Sequence, residues 1–292
     1  MTTHNIVLCF FLFTILKYVD SFHQLSFSGG GSFGAVEIGI IKRLQEIESK
    51  NFDIYTGISA GGLNAGFLSY FYDLKLGIKE AENLYSKMTS KMVYECYPKS
   101  GLSLLNTEPL YNTLYDITDN MRDEPVVNTL IGATNLYTGD LDIYNYCDIE
   151  KAERVQLLMA TSAIPIFFPP VAFRNKLYAD GGTLSNELLD VVHNVGYLNI
   201  TFITPSDGLL INNTPITNLK EMIIRTTQII TSNFNNPISK INQNCKTPYG
   251  EINKYFVNDS LLAGYNMLNF DKGVELIDIG YKNVEHKKYV LC

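Results

Sequence analysis

Residues 52–66 read FDIYTGISAGGLNAG, from Phe52 to Gly66. The apolar run Phe52 to Thr56 predicts a short strand. A tight turn follows at Gly57-Ile58-Ser59-Ala60-Gly61, and then a helix begins. A serine on so sharp a strand-to-helix turn has its hydroxyl pushed out at the carboxyl edge of a sheet. Gly57 and Gly61 leave room for the kink and for the helix to lie close on the strand. The unpaired N–H groups of the new helix favour negative charge beside the serine. Ser59 is therefore a candidate nucleophile; the alternative is an ordinary glycine-rich turn.

Working outward, Gln24 to Phe27 alternates like a strand and runs into Ser28-Gly29-Gly30-Gly31-Ser32-Phe33-Gly34. Ala35, Ile38, Ile41, Leu44 and Ile47 then recur at helical spacing, with Lys42, Arg43, Glu46 and Glu48 between them. Strand, glycine loop, helix, strand, elbow, helix is a βαβα start, which predicts parallel strands in a layered α/β sheet. The glycine loop fits G-x-G-x-x-G, but no Gly-Lys-Ser/Thr follows it. The acidic residue a dinucleotide site wants near the end of the next strand is also missing: Asp53 begins that strand and Ser59 closes it. Consecutive glycine N–H groups at a helix start instead make an anion nest suited to a tetrahedral oxyanion. Neighbouring parallel strands would put that nest beside Ser59.

Further along, helices are expected over Gly61–Asp73, Gly77–Met88, from Thr107-Glu108-Pro109 to about Tyr115, and Ile149–Ala163. A loop is expected over Lys91–Asn106. Val126–Asn135 and Leu141–Tyr146 flank the hairpin signal Tyr137-Thr138-Gly139-Asp140. Phe173–Ala179 turns at Arg174-Asn175 and leads into Asp180-Gly181-Gly182. Beyond lie an expected helix at Asn186–Asn194, a strand Tyr197–Thr204, an amphipathic helix Thr217–Thr231 and a last helix Leu261–Phe270. No repeat or linker divides the chain.

The 292 residues carry 46% hydrophobic and 18% charged side chains and a formal net charge of −7. That balance is globular, and without a basic cluster it argues against nucleic acid and against charge-driven binding to anionic membranes. An apolar run from Ile6 to Leu16 is too short to span a bilayer. Its length matches a secretory signal peptide cut near Phe22, which makes 1–21 a leader and 22–292 a single catalytic domain. Met1–Asn5 lacks Lys and Arg, so an apolar N-terminal extension is the other reading. The secretory pathway is the expected location, with cytoplasmic or membrane-associated placement as the alternatives. Cys96, Cys147, Cys245 and Cys292 would remain; they permit disulfides but have no metal-ligand spacing. Sequons stand at Asn199, Asn212 and Asn258, the first inside an expected strand where a glycan suits only an edge.

A serine needs a base. Of the four histidines, His4 falls in the leader and His23 precedes the first strand. His193 has apolar neighbours, and His286 sits among charges. None has a motif context, so a triad through His193 is an alternative without support. Asp180 offers another route. It follows Leu177-Tyr178-Ala179 and precedes two glycines, placing a carboxylate on a tight turn at a strand end. Bonded to a serine hydroxyl, it could accept the proton as charge develops.

Gly29–Gly34, Gly57-Ile58-Ser59-Ala60-Gly61 and Asp180-Gly181-Gly182, with ATSAIPIFFPP over Ala160–Pro170 before the last, stand in this order in the chain. Together they resemble the patatin-like lipid acyl hydrolases over roughly Leu25 to Tyr197. The resemblance implies an α/β/α sandwich with a mostly parallel sheet, and a Ser59–Asp180 dyad without histidine. It implies an oxyanion hole in the glycine loop (Gly29, Gly30, Gly31, Gly34), with Gly30 and Gly31 as N–H donors, and Gly181 and Gly182 completing the aspartate turn. It also implies acyl lipids at a membrane or micelle surface as substrate, with no cofactor, metal or protein partner. Where the family often carries Arg or Lys in the loop, this chain has Ser32-Phe33, which puts phosphate-assisted recognition in doubt. Phe33, Phe67, Phe167 and Phe168 line an acyl channel or are plain core. Competing readings are an esterase with a Ser-His-Asp triad through His193, and a lipid-binding or storage protein with low turnover.

Overall fold

The computed structural model of the chain describes residues 21–99, 101–122, 124–189, 191, 196–208, 216–219, 221–223, 225–226 and 249–291. The expected leader, His4, His193, Asn212, Cys9, Cys245 and Cys292 therefore lie outside the described residues, apart from Ser21.

The first alternating run forms β1 (Phe22–Phe27), buried from Gln24 onward. After the glycine loop comes α1 (Gly34–Ile47), and the apolar run before the elbow is β2 (Ile54–Ile58), buried throughout. The elbow helix, α2, covers Ala60–Leu68 and stops short of Asp73. Asp73 instead caps α3 (Leu74–Lys87), its side chain accepting from the Lys75 N–H; a short carboxylate ahead of a helical run is a start signal. Pro109 lies in the first turn of α4 (Glu108–Asp119). β3 (Asn128–Asn135) and β4 (Leu141–Asn145) form the expected hairpin, followed by α5 (Lys151–Thr161). β5 (Val171–Phe173) and β6 (Lys176–Asp180) turn through Arg174 and Asn175, both at positive φ, as a two-residue hairpin turn requires.

β7 (Leu198–Ser206), β8 (Gly250–Val257) and β9 (Glu285–Leu291) complete, among the described residues, a nine-stranded sheet. The strands β3, β2, β1, β7 and β8 are parallel neighbours, while β4, β6 and β9 pair antiparallel. The sheet is mixed, mostly parallel and flanked by helices, as the βαβα start predicts. Asn199 lies in β7, between β1 and β8, so its sequon sits in an internal strand. Residues 186–189 are not helical, and the last helix is α6 (Gly273–Lys282) rather than Leu261–Phe270. The described part of 217–231 is helical at 219, 221–223 and 225–226.

The helix α6 packs on α1 through glycine. A Cβ on Gly39 would stand 2.1 Å from the Ile277 carbonyl oxygen, and one on Gly280 would stand 2.1 Å from that of Val36. The two backbones touch, which ties the end of the chain to its beginning. Among the described residues no helix is long and apolar enough to cross a membrane.

Candidate active site

Ser59 follows β2 at φ 55 and ψ −128, a conformation that costs a non-glycine residue about 1–3 kcal/mol and is kept where surroundings dictate it. The surroundings are tight. A Cβ on Gly57 would meet the Gly61 carbonyl oxygen at 2.2 Å, and one on Gly61 would meet that of Ser28 at 2.3 Å. Both glycines are required by close approach. The Ser59 N–H donates to Thr161 Oγ1 at 3.0 Å, and that hydroxyl donates to the Gly132 carbonyl at 2.6 Å. The elbow is thereby pinned to the end of α5 and to β3.

Strand register explains how Asp180 reaches it. β2 ends with Ile58 opposite Gly132 of β3, and β6 ends with Asp180 opposite Ala133. Since β4 occupies the other side of β3 at both positions, β2 and β6 share one side of β3 end to end. The serine arrives from below and the aspartate from above, and they meet across one residue step. Ser59 Oγ donates to Asp180 Oδ2 at 2.7 Å, across 121 positions of sequence. Asp180 Oδ1 accepts from the Gly182 N–H at 2.7 Å, and its carbonyl accepts from Thr134 at 2.9 Å. Both residues are 5% exposed. Burial pushes the Asp180 carboxyl up to about 7, against the pull of the Ser59 and Gly182 hydrogen bonds.

The glycine loop lies beside this pair: a Cβ on Gly29 would come within 3.1 Å of Ser59 Cβ. Its amides divide. The Gly29 N–H donates to the Asn186 carbonyl, and the Gly34 N–H turns back on Gly31 and Ser32. Among the described residues the Gly30 and Gly31 N–H groups have no acceptor. Of the four expected oxyanion glycines, these two remain open to a ligand. Gly31 stands at φ 59, where a Cβ would collide with the Met267 carbonyl at 2.4 Å. Ser32 bonds to Asn266 and Phe33 is buried, so the loop presents no cation.

Sequence reasoning missed three supports. Asn186 Nδ2 donates back to the Gly29 carbonyl at 3.3 Å, close to the Asp-Gly-Gly turn. Thr161, within ATSAIPIFFPP, carries the elbow. Glu37 is wholly buried on α1, accepting from the Ser28 N–H at 2.9 Å and from Asn64 Nδ2 at 3.0 Å. Burial holds its carboxyl well above the usual range despite these bonds. An acidic residue at an apolar helix position, where α1 faces the core, was the one available signal.

An apolar cavity reaches Ser59 and Gly31 and is walled by α2, α3 and α4. Phe67 and Phe168 line it, whereas Phe33 and Phe167 are not among its walls and are buried core. His23 bonds to Ser21 at the far end of β1, and His286 stacks on Tyr255 in the β8–β9 ladder. Neither faces Ser59. Among the described residues no group of three or more His, Cys, Asp or Glu side chains could hold a metal; Cys96 and Cys147 are free thiols.

The model of the family described as patatin-like phospholipase matches residues 25–193. The chain is 24% identical over 208 residues to a cGAMP-activated phospholipase of Pseudomonas aeruginosa, covering 66% of this chain and 61% of that protein. It is 25% identical over 184 residues to the probable lipid hydrolase 463L of Invertebrate iridescent virus 6, covering 58% and 63%. The matched regions thus span under two thirds of either relative. Among solved structures, VipD from Legionella pneumophila aligns with a TM-score of 0.42 and 12% identity, over 91% of this chain and 68% of that one.

Proposed function

This chain belongs to the patatin-like phospholipase family, and from that premise we propose that it is a serine lipid acyl hydrolase working through Ser59 and Asp180. The observation that carries the reading is the buried 2.7 Å hydrogen bond from Ser59 Oγ to Asp180 Oδ2. Ser59 Oγ bonds to the acyl carbon of an ester as its proton passes to Asp180. The developing oxyanion takes the open N–H groups of Gly30 and Gly31. Collapse breaks the ester C–O bond, and the leaving alkoxide departs with the proton held by Asp180. Water then gives a proton to Asp180 and attacks the acyl-serine; collapse frees the fatty acid and returns a proton to Ser59 Oγ. A carboxyl near 7 supports this role, since a base poised near the working pH transfers protons with the least waste. The apolar cavity supports an acyl chain as the bound part of the substrate.

The test is fatty-acid release from micellar phospholipid and from acylglycerol by wild type, Ser59→Ala and Asp180→Asn. Each substitution is expected to lower kcat on the order of a thousandfold or more, in line with removal of a catalytic-unit member. Equal release by all three would sink the dyad.

A further inference from the structure

The cavity follows helices whose pitch measures it. On α2 and the turn after it, the walls are Ser59, Leu63, Phe67 and Tyr70; on α4 and the turn after it they are Leu110, Leu114, Ile117, Thr118 and Met121. Both sets recur at three or four residues, one face of each helix, so the cavity runs along the helices. One end is Ser59. At the other, Tyr70 and Tyr146 meet edge to face with centroids 6.1 Å apart and hydroxyls 3.3 Å apart. Arg154 lies against both rings, at 6.0 and 5.7 Å, and Nη1 donates to the Tyr70 hydroxyl at 3.3 Å. The same guanidinium holds the Ile149 carbonyl at 2.9 Å and Glu124 at 2.5 Å. Pushing either ring aside would disturb a buried charge and its partners, so this end is stiff.

The helix α5 runs between the same two ends in the opposite sense. Thr161 at its end binds the Ser59 N–H, and Arg154 near its start binds Tyr70. At about 1.5 Å per residue, the path is about 10 Å from Thr161 to Arg154 and about 16 Å from Ser59 to Tyr70. With C–C bonds of about 1.5 Å at tetrahedral angles, an extended chain advances about 1.25 Å per carbon.

We propose that Tyr70 and Tyr146, braced by Arg154, are a stop that makes this site select acyl chains of medium length, about 8–13 carbons. The proposal rests on the acyl hydrolase reading for its chemistry but not for its geometry. It assigns specificity to the floor of the cavity, not to the dyad.

Two measurements test it separately. Binding of free saturated fatty acids from butyrate to stearate is followed by calorimetry on Ser59→Ala protein. Affinity is expected to rise about fourfold per methylene and to level off once the chain meets the stop. Met121→Ala, beside the stop, moves the plateau to longer chains. Thr118→Phe, one turn short of it, moves the plateau to shorter ones. The same order is expected in hydrolysis of p-nitrophenyl esters by the corresponding proteins with Ser59 intact. Affinity that climbs unbroken to stearate, or a plateau that neither substitution moves, overturns the stop. Length-limited binding without ester cleavage by wild type would instead overturn the hydrolase reading and leave the stop standing.

Discussion

Asp180 answers two opposed requirements. Its burial raises proton affinity, which suits a transient base, and the same burial makes its ionised form costly to the fold. The proposed mechanism requires the carboxylate, so kcat/KM should fall about tenfold per pH unit below an apparent value near 7 and flatten above it. A profile flat from pH 5 to 8 (about pH 7 being the midpoint expected) would count against Asp180 as base. For stability the sign is reversed. The folded carboxyl titrates near 7, the unfolded one near about 3.9. Between those values the folded state holds the extra proton, so stability declines as pH rises through the window. Asp180→Asn removes the charge and, like the protonated acid, offers one acceptor oxygen, for the Gly182 N–H, and one donor, toward Ser59 Oγ. It should be inactive yet more stable than wild type above neutral pH, by an amount on the order of a few kcal/mol, read by denaturant melts at low and high pH.

The elements around the dyad show what a sequence can and cannot disclose. The strand–turn–helix at Ser59 was legible because Gly57 and Gly61 leave no alternative to a tight kink. Asp180 is legible as a candidate from Asp-Gly-Gly, but its pairing with Ser59 comes only from the family resemblance and not from any local pattern. The pairing depends on β2 and β6 ending at successive residues of β3, a long-range register that no local pattern encodes. The last helix was misplaced for a local reason. Asn258, Asn266 and Asn269 each accept from a backbone N–H two residues on, and such side-chain turns compete with helix through an apolar stretch. β9 carries no strand signal in the sequence because Glu285, His286, Lys287 and Lys288 are polar and exposed on an edge strand. Thr161 belongs to the helix end nobody would single out. Thr161→Val should leave the Ser59 N–H buried without a partner, at about 1–3 kcal/mol, and lower kcat more than it changes KM. Thr161→Ser should restore both.

At the scale of the molecule, the fold closes where α1 and α6 touch through Gly39 and Gly280. Gly280→Ala forces a methyl against the Val36 carbonyl, and overpacking of this kind costs about 1–3 kcal/mol or more. The melting temperature should drop by several degrees while the specific activity of folded protein stays near wild type, because α6 does not line the dyad. A fall in the specific activity of folded Gly280→Ala protein, well below its melting temperature, would mean that the contact steers the site as well.

β1 sits in mid-sheet, with β2 on one side and β7 on the other. The family model matches residues 25–193, and β7 begins beyond it, at Leu198. A chain cut there would expose the full hydrogen-bonding edge of β1, including Leu25 and Phe27, which are wholly buried in the intact sheet. An apolar open edge templates pairing between copies. The fragment 22–193 should accordingly be recovered as aggregate, and co-expression with 196–291 should return part of it to solution. On that expectation the matched stretch alone is too short to serve as a module that can be moved between proteins.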